Sequence, residues 1–334
     1  MATATQTKHE RLRAAIAGEE TDRSPIALWQ HFPVQDQTVN GLANATLGFQ
    51  QTWDWDLIKF TPTGTYAAAD WGSETAWEPN DHGTRTILRH GVTRAEDWPR
   101  LANLDVRRGE HGLANESLRI VADALRGEVP LVQTVFSPLT TARKLAGERV
   151  FAHLRMNPEL LHEGLRIITH VTARFAKDAL AAGADGIFFA TQNASFRVLS
   201  CAEYAEFGHP YDLEVLEAVA DASYRILHVH GHDTQLHTLL RYPVNVLNWH
   251  DRAASPSLSE AHRQFPGLLS GGIDEWETLR HGSPEQVAAQ IADAVDQVEG
   301  RRLLLSPGCV MPQDVPPANL RAAREAVART AVRV

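Results

Sequence analysis

Two histidines and one cysteine have the residue types and the spacing that a metal site requires. His228 and His230 lie at the end of an apolar segment, 225–230, that is typical of a buried strand. Residues two apart in a strand project from the same face, so both imidazoles point at one place. Cys309 follows a second apolar strand at 302–305. Two imidazoles and a thiolate suffice for a zinc ion whose fourth position stays open, as catalytic zinc requires.

Each of these residues also has an ordinary structural interpretation. One histidine could line the sheet with its nitrogens satisfied by hydrogen bonds, and the other could belong to the loop. Cys309 could be a small buried hydrophobe. The metal site therefore depends on a fold that brings the ends of the two strands together.

Length and composition restrict the class of protein. The 334 residues, 43% hydrophobic and 22% charged, suit a globular protein with a large core. The net charge of -9 and the absence of a basic cluster argue against nucleic acid as a partner. No apolar run approaches a membrane span and the first residues lack a signal-peptide core, so we expect no membrane association and a cytoplasmic location. Cys201 and Cys309 form no disulfide framework, which predicts reduced thiols.

Short apolar strands alternate with helical segments along most of the chain. We expect strands at 26–29, 56–60, 130–136, 185–190, 225–230, 244–249, 268–272 and 302–305. We expect helices at 8–18, 116–125, 157–182, 213–222, 233–241, 283–298 and 317–330. The segment 67–115 has weak periodicity, and we interpret it as an insertion, after the second strand, that contains a hairpin.

This alternation predicts an α/β protein with a parallel sheet. Eight strands favour closure into a (β/α)8 TIM barrel that comprises the whole chain, 1–334, as a single domain. The alternative is a doubly wound open sheet, but no glycine-rich phosphate loop follows the first strand.

Polar residues cluster where the predicted strands end, which is where such barrels place their active sites. His250, Asp251 and Asp274 are candidate catalytic residues. His250 is either a further ligand or a group that faces the substrate, and each aspartate either orients a ligand imidazole or caps a loop. The candidate substrate-binding residues share a position at strand ends and are Trp29, Gln30, His31, Thr61, Gln192, Asn193 and Trp249. The two tryptophans either wall an apolar or methyl-bearing substrate or pack at the top of the barrel.

Several segments together resemble one superfamily of barrel enzymes. They are RLRAAIAGE at 11–19, FSPLTTARKLAG at 136–147, AGADGIFF at 182–189, SCAEYAEFGHPY at 200–211, ILHVHG at 226–231, GGID at 271–274 and SPGC at 306–309. In order and spacing they resemble the uroporphyrinogen decarboxylases and the zinc methyltransferases that share their barrel. Those methyltransferases include the methylcobalamin:coenzyme M type and cobalamin-independent methionine synthase.

The resemblance favours the methyltransferase branch. The decarboxylases carry arginines after the first strand and an aspartate after the second, whereas this chain has WQHFP at 29–33 and FTPTG at 60–64. A polycarboxylate substrate would therefore lack its guanidinium partners. The methyltransferases carry His-x-Cys after the fifth strand and Cys after the eighth, and His228, His230 and Cys309 stand at those places. Histidine replaces one cysteine, which zinc tolerates.

The resemblance also implies chemistry and partners. It implies a zinc enzyme that presents the anion of a small thiol or hydroxyl substrate to a methyl donor, such as methylcobalamin held by a corrinoid protein at the barrel mouth. It further implies a homodimer. Two alternatives are a carboxy-lyase that acts on a cyclic or aromatic acid in the same pocket, and a barrel that binds a ligand without catalysis.

Overall fold

A curled sheet of seven parallel strands organises the protein, whose structure, a computed structural model, describes residues 5–328 and 330. In chain order the strands are β1 (Ile58–Phe60), β2 (Glu74–Ala76), β3 (Thr86–Arg89), β4 (Leu131–Phe136), β5 (Gly186–Thr191), β6 (Tyr224–Val229), β7 (Val246–Trp249), β8 (Leu268–Ile273) and β9 (Leu303–Pro307). The parallel sheet runs in the order β1-β4-β5-β6-β7-β8-β9, and β2 pairs with β3 as a separate antiparallel hairpin. The predicted strands from the second to the eighth are thereby confirmed, with bounds that differ by one or two residues.

Helices separate the strands of the parallel sheet. In chain order they are α1 (Lys8–Ala17), α2 (Val39–Trp53), α3 (Tyr66–Ala69), α4 (Gly109–Leu125), α5 (Pro138–Ala146), α6 (Arg149–Met156), α7 (Pro158–Ala181), α8 (Cys201–Phe207), α9 (His209–Glu217), α10 (Leu236–Leu239), α11 (Leu258–His262), α12 (Thr278–His281), α13 (Pro284–Gln297) and α14 (Pro317–Val327). Short 3-10 helices occupy Gln35–Gln37 and Ala95–Arg100. Most sheet residues are buried, as expected for a parallel sheet covered by helices. In the described part of the chain, no helix combines the length and apolarity that crossing a membrane requires.

The predicted first strand, 26–29, does not form a regular strand. Ile26 makes an isolated parallel bridge to Leu305, and the N–H of Ala27 donates to the carbonyl of Leu305 at 3.0 Å. On the other side, the N–H of Asp56 donates to the carbonyl of Ile26 at 2.9 Å. The ladder does not continue because the Asp56 carboxylate, rather than a main-chain carbonyl, accepts the N–H of Ile26. The segment nevertheless bonds to β9 on one side and to the start of β1 on the other.

The buried carboxylate of Asp56 also holds the N-terminal helix against the sheet. It accepts from Arg11 of α1 at 2.8 Å and from Arg23 at 2.6 Å. Arg11 makes two further bonds of 2.7 Å to the carboxylate of Asp22. Because Asp56 is inaccessible to solvent, these contacts replace all of its hydration.

Helix boundaries differ from the predictions where distant residues cap the helix. The predicted helix at 116–125 begins seven residues earlier, at Gly109 in α4, because the carboxylate of Asp70 accepts the N–H groups of Glu110 and His111. The predicted helix at 233–241 is reduced to the single turn α10. The start of α13 is as expected, since the Ser283 hydroxyl accepts the N–H of Gln286 in a capping box.

The segment 67–115 contains the predicted hairpin. Strands β2 and β3 pair with a register shift between Glu74 and Thr75, which marks a bulge. The 3-10 helix Ala95–Arg100 follows and packs against α7 through the buried side chain of Trp98. The interpretation of the segment as an insertion stays a prediction.

Candidate metal centre

Four side chains that can bind a metal meet at the C-terminal edge of the sheet. His228 lies in β6, His230 follows it, His250 follows β7 and Cys309 follows β9. One potential ligand atom from each lies within 4.8 Å of the others. Parallel strands of one curled sheet bring these residues together because their carboxyl ends share one edge of the sheet. The structure thus assembles the three predicted ligands and adds His250 as a fourth donor.

The distances within this cluster suit a tetrahedral metal ion. Nε2 of His250 and Nδ1 of His230 are 3.2 Å apart, and Sγ of Cys309 is 3.6 Å from the same Nδ1. Zinc bound at about 2.0 Å to nitrogen and 2.3 Å to sulfur places tetrahedral ligand atoms roughly 3.3–3.6 Å apart. Three imidazoles and one thiolate are also ligand types that zinc accepts, so the residues present fit the ion.

Asn248 fixes the orientation of His228. The amide nitrogen of Asn248 donates to the carbonyls of Ser270 at 2.9 Å and Pro307 at 3.1 Å, which turns its oxygen toward His228. Nδ1 of His228 therefore donates to this oxygen at 2.6 Å. The remaining nitrogen, Nε2, keeps its lone pair free to bind a metal ion in the cluster.

Glu275 performs a similar role for His250. Its Oε1 lies 3.2 Å from Nδ1 of His250, close enough for an ion pair although not aligned as a hydrogen bond. Its Oε2 accepts the N–H of Gly308, next to Cys309, at 3.1 Å. The side chain is buried, so one carboxylate connects two parts of the cluster with little screening by water. The sequence analysis missed Glu275 because its neighbour Asp274 is an equally plausible acid.

The two predicted aspartates lie away from the donor atoms. Oδ1 of Asp274 accepts the N–H groups of Trp276 at 2.9 Å and Glu277 at 2.7 Å, so this residue caps the loop. The oxygens of Asp251 accept the N–H of Gly272 at 3.0 and 3.1 Å. Burial raises the pKa of Asp251 to about 7. Asp274 therefore has the contacts of the alternative interpretation, a loop cap, whereas Asp251 bonds to the main chain of β8.

The cluster pairs a negative thiolate with a positive imidazolium before any metal binds. Burial opposes the thiolate, but contacts with the imidazoles of the cluster hold the pKa of Cys309 well below its usual value. Burial also opposes the imidazolium of His250, yet contacts with Cys309 and Glu275 raise the pKa of His250 to about 10. Burial lowers the pKa of His228 and keeps that ring neutral. A metal ion would replace the proton of His250.

A cavity of about 220 Å³ lies against the cluster. His228, His230 and Cys309 form part of its wall. The predicted substrate-binding residues Trp29, His31, Thr61 and Gln192 also line it. Four of the seven predicted substrate-binding residues therefore face a common space beside the candidate ligands.

The other three predicted substrate-binding residues point elsewhere. Gln30 does not line this cavity but a smaller one, whose wall also includes Phe49 of α2. Trp249 alternates with the inward-facing Asn248, and its indole N–H donates to the carbonyl of Pro256 at 2.8 Å. Asn193 is buried and donates to the carbonyl of Leu139 at 3.0 Å. Their contacts are those of packing at the top of the sheet.

Two lysines in the cavity wall were not singled out by the sequence analysis. Lys59 of β1 is 7% exposed, and its Nζ lies 3.4 Å from Oγ1 of Thr61 and 4.7 Å from the ring centre of Phe188. Nζ of Lys144, in α5, lies 4.4 Å from the ring centre of Phe136. Burial lowers the pKa of each lysine to about 8. A charged residue inside an otherwise apolar strand was the available signal for Lys59.

The fold and the cluster define an α/β protein with a parallel sheet and a candidate metal centre at its C-terminal edge. The family model described as "Uroporphyrinogen decarboxylase (URO-D)" matches residues 7–330. The chain therefore belongs to the URO-D family.

Its relatives place it nearer the methyltransferase branch of this family. The chain is 25% identical over 238 residues to a protein named methylcobamide:CoM methyltransferase MtbA from Methanosarcina acetivorans, which covers 71% of this chain and 69% of that protein. The structure of a methyltransferase from Methanosarcina mazei superposes with a TM-score of 0.82 at 21% identity and covers 97% of this chain and 98% of that one. Weaker matches include the uroporphyrinogen decarboxylase of Nocardia farcinica, 32% identical over 130 residues, 37% of this chain and 36% of that protein.

Proposed function

We propose that this protein is a zinc-dependent methyltransferase that activates a small thiol or hydroxyl substrate. The observation that carries the proposal is the convergence of one donor atom each from His228, His230, His250 and Cys309 within 4.8 Å. The methyltransferases among the relatives support methyl transfer as the reaction class. These four residues would hold the ion. When bound, zinc supplies the acidity that converts a coordinated thiol or hydroxyl into its anion near neutral pH.

The residues around the cluster have defined tasks in this proposal. Asn248 and Glu275 fix the rings of His228 and His250, so the donor atoms need little reorganisation. Trp29 and Phe188 form an edge-to-face pair, with ring centres 5.5 Å apart, that makes one wall of the cavity apolar. An apolar wall strengthens electrostatic contacts with a substrate anion.

We further propose that the methyl donor is a methylated corrinoid on a partner protein. The support is the name of the relative from Methanosarcina acetivorans, a methylcobamide methyltransferase. We interpret the segment at 25–27, which bonds to both β1 and β9, as the eighth strand of a (β/α)8 barrel. The homodimer stays a prediction.

Metal analysis tests the proposal directly. We expect about one zinc per chain in the purified protein by inductively coupled plasma mass spectrometry, and loss of metal in His228→Ala and in Cys309→Ala. Cys201→Ala is the matched control, because Cys201 is exposed on α8 and should retain the metal. A His228→Ala, Cys309→Ala double variant that keeps its full zinc content would rule the site out. Methyl transfer from methylcobalamin to simple thiols, followed by visible absorbance, should disappear with the metal.

A carboxy-lyase is the second candidate, favoured by the two lysines in the cavity wall and by the decarboxylases among the relatives. Ammonium groups would bind the carboxylate of an acid substrate. This reaction predicts release of CO2 that persists after the metal has been chelated. Methyl transfer predicts the opposite, so one chelation experiment separates the two candidates.

A further inference from the structure

His232 is the third histidine of the segment 228–232, and the candidate metal centre does not include it. It lies outside the group of four donors and is exposed to solvent. Its ring stacks on that of His250, with ring centres 6.3 Å apart and planes inclined at 26°. An exposed imidazole therefore stands directly beside one of the candidate ligands.

The contact that His232 makes with the main chain prepares its ring to bind a metal ion. Nδ1 of His232 lies 3.2 Å from the carbonyl oxygen of Ala253. A carbonyl oxygen only accepts hydrogen bonds, so Nδ1 carries the proton and the lone pair of the neutral ring is on Nε2. Metal-binding histidines have the same arrangement, in which a carbonyl or carboxylate fixes the nitrogen that does not bind the metal.

The loop that carries His232 is held by the loop that follows β5. The hydroxyl of Ser195 donates to the carbonyl of His232 at 2.8 Å, and the N–H of Phe196 donates to the carbonyl of Asp233 at 2.8 Å. Ser195 also forms an isolated antiparallel bridge with Thr234. The main chain on both sides of the exposed imidazole is thus fixed relative to the cluster.

Four imidazoles lead from solvent to the interior of the protein. His232 is exposed, His230 and His250 are half-buried, and His228 is buried. The ring centres of His250 and His230 are 5.0 Å apart, and those of His230 and His228 are 5.7 Å apart. With the 6.3 Å step from His232 to His250, each ring has the next one as its neighbour. A metal ion can therefore pass inward by rotation of side chains alone.

The cavity is a less favourable route for a cation. His228, His230 and Cys309 line the cavity, whereas His250 does not. The wall includes two lysines and, among the described residues, neither an aspartate nor a glutamate. Beside His250, in contrast, the buried carboxylate of Glu275 lies 3.2 Å from Nδ1. Ammonium groups repel a divalent cation and a carboxylate attracts it, so charge favours the route past His250.

We propose that His232 is the capture ligand of the metal centre, which binds a zinc ion from solution and passes it to His250. The ion exchanges one water ligand for Nε2 of His232, and then exchanges that nitrogen for the donors of the cluster. No bond to His232 remains in the final site. The proposal rests on the proposed function because it requires the metal centre. Metal and substrate then reach that centre from different sides.

Stopped-flow uptake of Co²⁺ by the metal-free protein tests the proposal, with the cobalt–thiolate absorbance of Cys309 as the signal. Release is measured with excess chelator. We expect His232→Ala to slow uptake and release about tenfold each and to leave the dissociation constant within about twofold, because His232 contacts the ion only during transfer. His232→Glu should restore most of both rates, since a carboxylate oxygen also binds such ions.

His237→Ala is the matched control. His237 is exposed and lies five residues further along, in α10, where its ring stacks on that of Phe196 with centres 6.2 Å apart. This variant should take up and release Co²⁺ as the unaltered protein does. Melting followed by circular dichroism should give the same temperature for all variants, because both histidines are exposed.

Three results would overturn the proposal. Unchanged rates in His232→Ala would show that the ion does not pass this residue. A weaker dissociation constant with an unchanged uptake rate would make His232 a ligand of the bound ion. Equal rates in His232→Glu and His232→Ala, both slower than in the unaltered protein, would show that the imidazole acts through the structure of the loop.

The unaltered protein separates this proposal from the proposed function. If it binds neither cobalt nor zinc, the metal centre is refuted and the capture ligand with it. If it binds metal and His232→Ala takes the metal up at the same rate, only the capture ligand is refuted.

Discussion

Glu275→Gln isolates the contribution of one carboxylate to the candidate metal centre. Oε1 of Glu275 lies 3.2 Å from Nδ1 of His250, and Oε2 accepts the N–H of Gly308 at 3.1 Å. Glutamine has the same size and keeps one carbonyl oxygen, so it can still accept the N–H of Gly308. The substitution therefore removes the negative charge beside His250 while it preserves the packing of the loop.

The expected cost follows from the burial of this contact. Loss of a partner that orients a metal ligand typically weakens metal affinity ten- to a hundredfold, about 1.4–2.7 kcal/mol. Glu275 is only 4% exposed, so water screens its charge weakly and the effect should exceed the lower limit. The retained bond to Gly308, which keeps the loop next to Cys309 in place, should hold it below the upper limit. We expect zinc to bind about 30-fold more weakly, a loss of about 2 kcal/mol.

Competition with a chromophoric chelator at fixed pH measures this affinity. Glu277→Gln is the matched control, because Glu277 lies in the same loop, is exposed and contacts the loop through its main-chain N–H. Circular dichroism should show both variants folded. If Glu275→Gln binds zinc as tightly as Glu277→Gln, the carboxylate does not support the metal ligands and the geometry has been misinterpreted.

Two further substitutions address stability. Burial lowers the pKa of Lys59 from 10.5 to about 8, so below pH 8 the charged side chain costs the folded state about 3 kcal/mol. Between pH 8 and 10.5 the folded protein releases this proton while the unfolded chain keeps it, so the free energy of unfolding should rise relative to Lys59→Met by about that amount. Urea titrations across this range check the sign, and parallel pH profiles for the two proteins would contradict it. Asp56→Ala should lower the free energy of unfolding by about 3–5 kcal/mol, because it leaves Arg11 and Arg23 without their buried partner. A loss below about 1 kcal/mol in urea would show that water compensates both arginines.

The order of the strands was accessible from the sequence because each strand is a short apolar run between helical segments. The strands from 56–60 to 302–305 are confirmed on this basis. The prediction of a regular strand at 26–29 was wrong because a ladder there depends on which group accepts the N–H of Ile26. That group is the side chain of Asp56, 30 residues away. The predicted start of α4 was wrong for a similar reason, since the residue that caps the helix is the distant Asp70.

The sequence by itself determined that His228, His230 and Cys309 stand at the ends of apolar strands, because a period of two and the chemistry of these residues are local properties. Only the tertiary structure decided that a ring nitrogen of His250 lies in their cluster, that Glu275 rather than Asp274 faces His250, and that Lys59 and Lys144 line the adjacent cavity. These facts depend on the direction of each side chain at a loop or strand end. That direction is fixed by contacts across the sheet, such as the one between His230 and Cys309, which are 79 residues apart, and a linear pattern does not contain them.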